Sequence, residues 1–169
     1  MFVQKEREIY LKASKCFELL NKSILLFEGY LREESPQNAP DYYRARNYVR
    51  DGDSFYQETL KEARRLLGPV PAYAAPDFEK RRMEYLEETK IIAKSHDFAD
   101  LKSELSKDEN LRLFLKEEEI ENLLRTYYDF QQTGKRKLTN IKIRILVAKL
   151  YSLLSRALEL QKEGLKKHQ

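Results

Sequence analysis

The sequence predicts an all-α protein, an antiparallel helical bundle of about five to six helices with a proline-rich break near residues 68–76. Three observations carry this. Apolar residues recur at spacings of three and four along most of the 169-residue chain, the period of a helix with one buried face. Glycine and proline number only 5 each, and the prolines fall in two clusters, so that the breaks lie between long helical segments. No stretch alternates polar and apolar residues as a half-buried strand does, and no internal repeat or low-complexity tract is present.

The first helix is expected over residues 2–33. Ala13, Phe17, Leu20, Ile24, Phe27 and Leu31 are spaced 4, 3, 4, 3, 4, close to a heptad seam. Cys16 adjoins that stripe as a small buried hydrophobe. Pro36 and Pro40 in SPQNAP end the helix and form a turn. Asp41 is the expected N-cap of a second helix, on which Tyr42, Ala45, Val49, Tyr56, Leu60, Ala63 and Leu67 share one face. Gly52 is expected to loosen or kink it.

GPVPAYAAPD, residues 68–77, holds three prolines and a glycine and forbids a continuous helix. The chain is expected to be one helical domain over 1–169. Its candidate subdomains are a hairpin over 1–67 and a four-helix segment over 77–169, joined by a linker at 68–76. Asp77 caps a third helix over about 77–95. A short fourth covers about 97–106, with Phe98, Leu101 and Leu105. The fifth covers about 107–132, with Leu111, Phe114, Leu115, Leu123, Leu124 and Tyr127, and Gly134 at its C-terminal cap. The sixth is expected over about 139–164. Its stretch ILVAKLYSLL is apolar nearly all round, which suits the centre of a core or an oligomer interface.

Composition bounds the rest. Charged residues are 36% of the chain and hydrophobic ones 41%, too apolar and too patterned for disorder. No segment approaches the roughly 18 consecutive apolar residues of a membrane span. MFVQKEREIY carries no apolar core of a secretory signal. A single cysteine builds no intrachain disulfide framework. The expectation is a cytoplasmic protein without a membrane contact.

The net charge of +4 is unevenly spread. Residues 134–169 hold ten Lys or Arg against Glu159 and Glu163, giving +8 and leaving −4 on residues 1–133. GKRKLTNIKIR, residues 134–144, puts Lys135, Arg136 and Lys137 before the last helix and Lys142 and Arg144 inside it. A basic loop at a helix N-terminus suits an anion, because free amides and the helix dipole add to the side-chain charge. The same loop serves equally for solubility, or pairs with the acidic run at 117–121. A second basic stretch is YYRARNYVR at 42–50. Its tyrosines and arginines spread around the helix rather than forming one patch. Tyr43, Arg46 and Arg50 remain as one candidate binding flank, with Asp53 a ready intrahelical partner for Arg50.

Catalytic signatures are scarce. His96 and His168 are the two histidines. With one cysteine they give no zinc spacing and no Cys–His pair. There is no Glu-x-x-His for a di-iron site, no arginine four to six residues before a histidine as in certain helical RNases, and no glycine-rich phosphate loop or G-x-S-x-G. Glu84 with Glu87 and Glu118 with Glu121 stand at i, i+3. Facing one another, such pairs would hold magnesium as in all-helical nucleotide pyrophosphohydrolases.

KLTNIKIRIL, residues 137–146, resembles the L-T-x-x-x-[IL]-R signature of the small helical subunit of type III CRISPR effector complexes. The resemblance covers about ten residues, and in that family the signature stands near the N-terminus. It implies an all-α, basic, non-catalytic subunit lining the groove that holds guide and target. Three functions are therefore carried forward. The first is a non-enzymatic helical assembly subunit that meets a protein partner or itself through helical faces and needs no cofactor. The second is a sequence-independent RNA or single-stranded DNA binder in a ribonucleoprotein. The third is a magnesium-dependent all-α nucleotide hydrolase.

Overall fold

A computed structural model describes residues 2–32, 39–67, 96–127 and 138–168. The fold is all-α. Among the described residues there are six helices and no strand: α1 Phe2–Arg32, α2 Ala39–Leu67, α3 His96–Ser106, α4 Glu109–Arg112, α5 Glu117–Tyr127 and α6 Leu138–His168. The proline-rich break at 68–76, the helix expected over 77–95 and Gly134 lie outside the described residues.

The chain forms two compact units, Met1–Leu66 with Leu150–Gln169, and Leu67–Lys149. The last helix is divided between them, a partition that the break at 68–76 does not announce. In the first unit α1 and α2 run antiparallel. Lys12 pairs with Glu62 at 3.7 Å, Leu20 lies against Gly52, and Phe27 and Tyr30 stack on Tyr42 with ring centroids 6.0 and 5.6 Å apart. The C-terminal part of α6 runs antiparallel to α2. Tyr151 meets Tyr56 at 6.4 Å, and Gly164 sits under Tyr42. Lys167 donates from Nζ to the Tyr30 carbonyl at 2.5 Å and lies over the Tyr30 ring.

The buried line of α1 is Ile9, Ala13, Cys16, Leu20, Ser23, Phe27 and Tyr30. Half of the expected seam is in it. Phe17, Ile24 and Leu31 are only half-buried, and Cys16, Ser23 and Tyr30 take the alternate places. Ser23 is tolerated there because its hydroxyl donates to the Leu20 carbonyl at 2.7 Å, leaving no buried polar group unpaired. On α2 the expected face is buried from Tyr42 to Ala63. Thr59 joins it by donating to the Phe55 carbonyl at 2.7 Å.

Two expectations about α2 need correction. The helix starts at Ala39, so Pro40 and Asp41 lie in its first turn. Proline fits there because its fixed φ is helical and its missing N–H has no acceptor in a first turn. Asp41 pairs with Arg44 at 3.5 Å instead of capping. Gly52 does not interrupt the helix. A Cβ at that position would stand 2.7 Å from Leu20 Cδ2 and 2.9 Å from Leu20 Cγ, so this glycine sets how closely α1 and α2 approach.

In the second unit the helix expected over 107–132 is two helices with a turn at Leu113–Lys116. Asp108 caps α4 by accepting from the Leu111 amide at 2.9 Å. The Glu117–Glu119 run starts α5. Three carboxylates in a first turn favour a helix N-terminus through the dipole, and Glu119 accepts from the Lys116 amide at 3.2 Å, half of a capping box. The turn keeps Leu111, Phe114, Leu115, Ile120 and Leu124 buried while Leu113 points outward. The first part of α6 is buried nearly all round, with Ile141, Ile143, Ile145, Leu146, Val147 and Ala148 each at most 3% exposed. The apolar ring of this helix is thus core of the chain itself. Leu154 rather than Leu153 stands in the buried line, and the helix passes Gly164 to reach His168.

Gly29 supplies the control for Gly52, since a Cβ there meets nothing within 4 Å. Gly29→Ala is expected to stabilise the protein by about 0.5–1 kcal/mol, the ordinary helix-interior gain. Gly52→Ala is expected to lose that gain and a further ~1–2 kcal/mol through overpacking against Leu20. Urea unfolding of the two variants checks the opposite signs.

Candidate functional site

The cations of the C-terminal segment have distinct fates. Lys135, Arg136 and Lys137 lie outside the described residues. Lys142 pairs with Asp108 Oδ2 at 2.5 Å, both side chains less than a fifth exposed. Asp108 therefore joins α4, which it caps, to α6. Burial is the largest single influence on its carboxyl and pushes it up. The Lys142 hydrogen bond, the Leu111 amide, the Lys142 charge and the Asn110 amide together outweigh burial and hold it below the usual aspartate range. Lys149 pairs with Glu119, whose other oxygen takes the Lys116 amide. Lys102 pairs with Glu121 at 3.2 Å. The acidic run at 117–121 is thus met by Lys102 and Lys149. Arg144 is half-buried and has no ion-pair partner among the described residues.

The flank of α2 is different. At about 100° per residue, Tyr43, Arg46, Arg50, Gln57, Lys61 and Arg64 fall within about 60° of one another around the helix. Along the axis they span about 31 Å, at ~1.5 Å per residue. Of these, Tyr43, Arg46, Arg50, Gln57, Lys61 and Arg64 are all exposed. Arg46, Lys61 and Arg64 have no ion-pair partner among the described residues. Arg50 reaches Asp51 at 3.4 Å rather than the expected Asp53, which instead accepts from Gln57 at 3.3 Å. Tyr43 packs its ring edge on Tyr42 at 5.5 Å and keeps about half of its surface in water.

Charge on α2 is only partly sorted: Arg44 and Arg65 stand among Asp41, Asp51, Glu58 and Glu62 and pair with Asp41 and Glu62, while Asp53 and, through Arg50, Asp51 border the basic flank. α1 meets one part of the acidic side, where Lys12 takes Glu62 and Lys22 stands 5.9 Å over the Tyr48 ring, and Asp51 and Glu58 stay exposed. The basic side is the one turned to α6. There the helical period puts Leu158, Lys162 and Leu165 on the same side as Tyr151, which touches α2. Leu158 and Leu165 are more than two-fifths exposed, and Lys162 is exposed. Glu159 and Glu163 lie round the helix from that side. The basic α2 flank therefore borders a partly apolar side of α6 that carries Lys162. An open groove of about 550 Å³ lies at the C-terminal end of α2, lined by Gln57, Lys61, Arg64 and Arg65.

Of this flank, the sequence singles out Tyr43, Arg46 and Arg50, and the same periodicity followed past Asp53 adds Lys61 and Arg64. Of the carboxylate pairs, Glu84 and Glu87 lie outside the described residues. Glu118 is exposed, and Glu121 is held by Lys102. Among the described residues no group of three or more His, Cys, Asp or Glu side chains is placed to hold a metal ion. No described helix is long and apolar enough to cross a membrane. The Cys16 thiol is pushed up to about 12 by burial, with the Asp53 carboxylate adding to the effect. Compared with protein-family models, curated proteins and solved structures, the chain matches none.

Two predictions follow from these titrating groups. Lys142→Met is expected to cost about 1–3 kcal/mol, because it leaves Asp108 half-buried without its cation. The pair's contribution is complete above about pH 4, the unfolded aspartate pKa, and is lost as pH falls from there through the lower folded value. The gap in melting temperature between wild type and Lys142→Met should accordingly close on acidification below about pH 4. Cys16 is expected to resist a thiol reagent at about pH 8 in the folded protein and to react fully in denaturant.

Proposed function

We propose that this protein is a non-enzymatic helical subunit that works by contact, holding single-stranded RNA or DNA by its phosphate backbone along the basic flank of α2. The observation that carries the reading is the alignment of Arg46, Arg50, Lys61 and Arg64 on one exposed arc of that helix, three of them without an ion-pair partner among the described residues. Like charges held together raise the free energy of the unbound protein and lower it again when a polyanion arrives. Tyr43 adds an exposed ring for base stacking, which any base satisfies.

The partner is met by charge rather than by the apolar seams of α1 and α6, since the described part of each seam is buried or half-buried within its own unit. The basic C-terminal segment extends the same chemistry. Its described members Lys142 and Lys149 serve packing, so the contact there falls to Arg144 and to Lys135, Arg136 and Lys137.

Fluorescence anisotropy of a labelled single strand of about 12 nucleotides tests the reading. Affinity should fall steeply between about 50 and 200 mM salt, without preference for sequence. Arg46→Ala should flatten the slope of log K against log salt by about 0.7, the share of one phosphate contact on a single strand. Binding that ignores both salt and Arg46 would sink the proposal.

A further inference from the structure

We infer that the open groove lined by Gln57, Lys61, Arg64 and Arg65 is a second phosphate-binding subsite for the same strand, which therefore runs along α2 from Tyr43 to Arg64. The inference rests on the nucleic-acid reading and goes beyond it in placing a site at the other end of the helix.

Four observations converge on this groove. It is a shallow, open site of about 550 Å³ along the exposed side of α2. Its lining is one amide and three cations. Arg65 is held by Glu62 at 2.8 Å, a carboxylate that Lys12 also reaches, so it serves as a wall. Lys61 and Arg64 stand at i, i+3 on the rim, exposed and without an ion-pair partner among the described residues. Side chains three apart on a helix have Cβ atoms about 5–6 Å from one another, close enough to bracket one phosphodiester.

The groove is also in line with the first contact. Gln57 lies on the same arc as Arg46 and Arg50 and ties itself to Asp53, an acid bordering the flank. That hydrogen bond partly masks the acid where the strand would pass. From Tyr43 to Arg64 the path is about 31 Å, at ~1.5 Å per helical residue. At ~3.4 Å per nucleotide of a stacked strand, it accommodates about nine nucleotides. A strand of about three nucleotides fills one end only.

Cations in a last turn also favour a helix C-terminus through the dipole, so the experiment separates that role from binding. Wild type and a Lys61→Gln, Arg64→Gln double variant are titrated onto labelled single strands of about 12 and about 3 nucleotides at several salt concentrations, with circular dichroism and melting recorded alongside. On the long strand, removing two phosphate contacts should flatten the salt slope by about 1.4. Wild type then loses about sevenfold more affinity than the variant between about 50 and 200 mM salt. Wild-type affinity should rise with strand length up to about nine nucleotides and level off there.

A lowered melting temperature with an unchanged salt slope would show the two cations to be helix-stabilising only and would overturn the inference, while the Arg46 contact stood. A wild type that binds no strand at about 50 mM salt would overturn both readings. Competition by polyglutamate equal to that of the oligonucleotide would give the surface to acidic protein and overturn the assignment to nucleic acid.

Discussion

A methyl group at position 52 would stand 2.7 Å from a Leu20 methyl, and one at position 164 would stand 3.1 Å from the Tyr42 ring. These two close approaches set the first unit. The first brings α1 onto α2 tightly enough for Leu20 to be fully buried. The second lets the end of α6 close over Tyr42, which Phe27 and Tyr30 flank. Glycine costs a helix interior up to about 1 kcal/mol relative to alanine. The helices accept that cost at positions where any side chain would hold them apart. Once they are this close, which side of α2 meets α1 is fixed, and with it which charges are covered.

The electrostatic character of the surface is a consequence of that packing. α2 carries acids and bases in similar numbers, and its composition alone suggests no binding face. Packing on α1 takes Glu62 through Lys12, and the arc of Arg46, Arg50, Lys61 and Arg64 stays exposed. The second unit uses charge in the opposite way. There Lys142 with Asp108 and Lys149 with Glu119 tie α6 to the short helix α4 and to the start of α5. Asp108 and Glu119 each also take a backbone amide at a helix N-terminus, so each carboxylate fastens a cap and a neighbouring helix together.

Much of the fold is legible in the sequence because the helical period of buried residues is strong. The α2 face from Tyr42 to Ala63 and the apolar α6 follow directly from it. The α1 seam is read only in part, because Ser23 satisfies its hydroxyl inside the helix and takes a buried place that an apolar count assigns elsewhere. The split at Leu113–Lys116 hides for a related reason. Leu111, Phe114, Leu115, Ile120 and Leu124 fit one continuous helix as well as two, and the acidic run that marks the new start looks like a solvated surface. The candidate surface is half legible. Periodicity aligns Tyr43, Arg46 and Arg50, whereas the ion-pair partners of each cation and the groove at Lys61 and Arg64 need three dimensions.

The division of α6 between the two units bears on how the protein is made. Its first unit joins Met1–Leu66 to Leu150–Gln169, so α1 and α2 leave the ribosome long before the helix that completes them. Synthesis runs at about 5–20 residues per second, and roughly 80 residues separate the two parts, a delay on the order of 4–16 s. During that interval the side of the Tyr42 ring and of α2 that receives Gly164 and Tyr151 lacks the cover that α6 gives it. A nascent α1–α2 pair carrying this open aromatic face is the species most exposed to aggregation and to chaperone capture. Loss of the last few turns would leave the finished protein in the same condition.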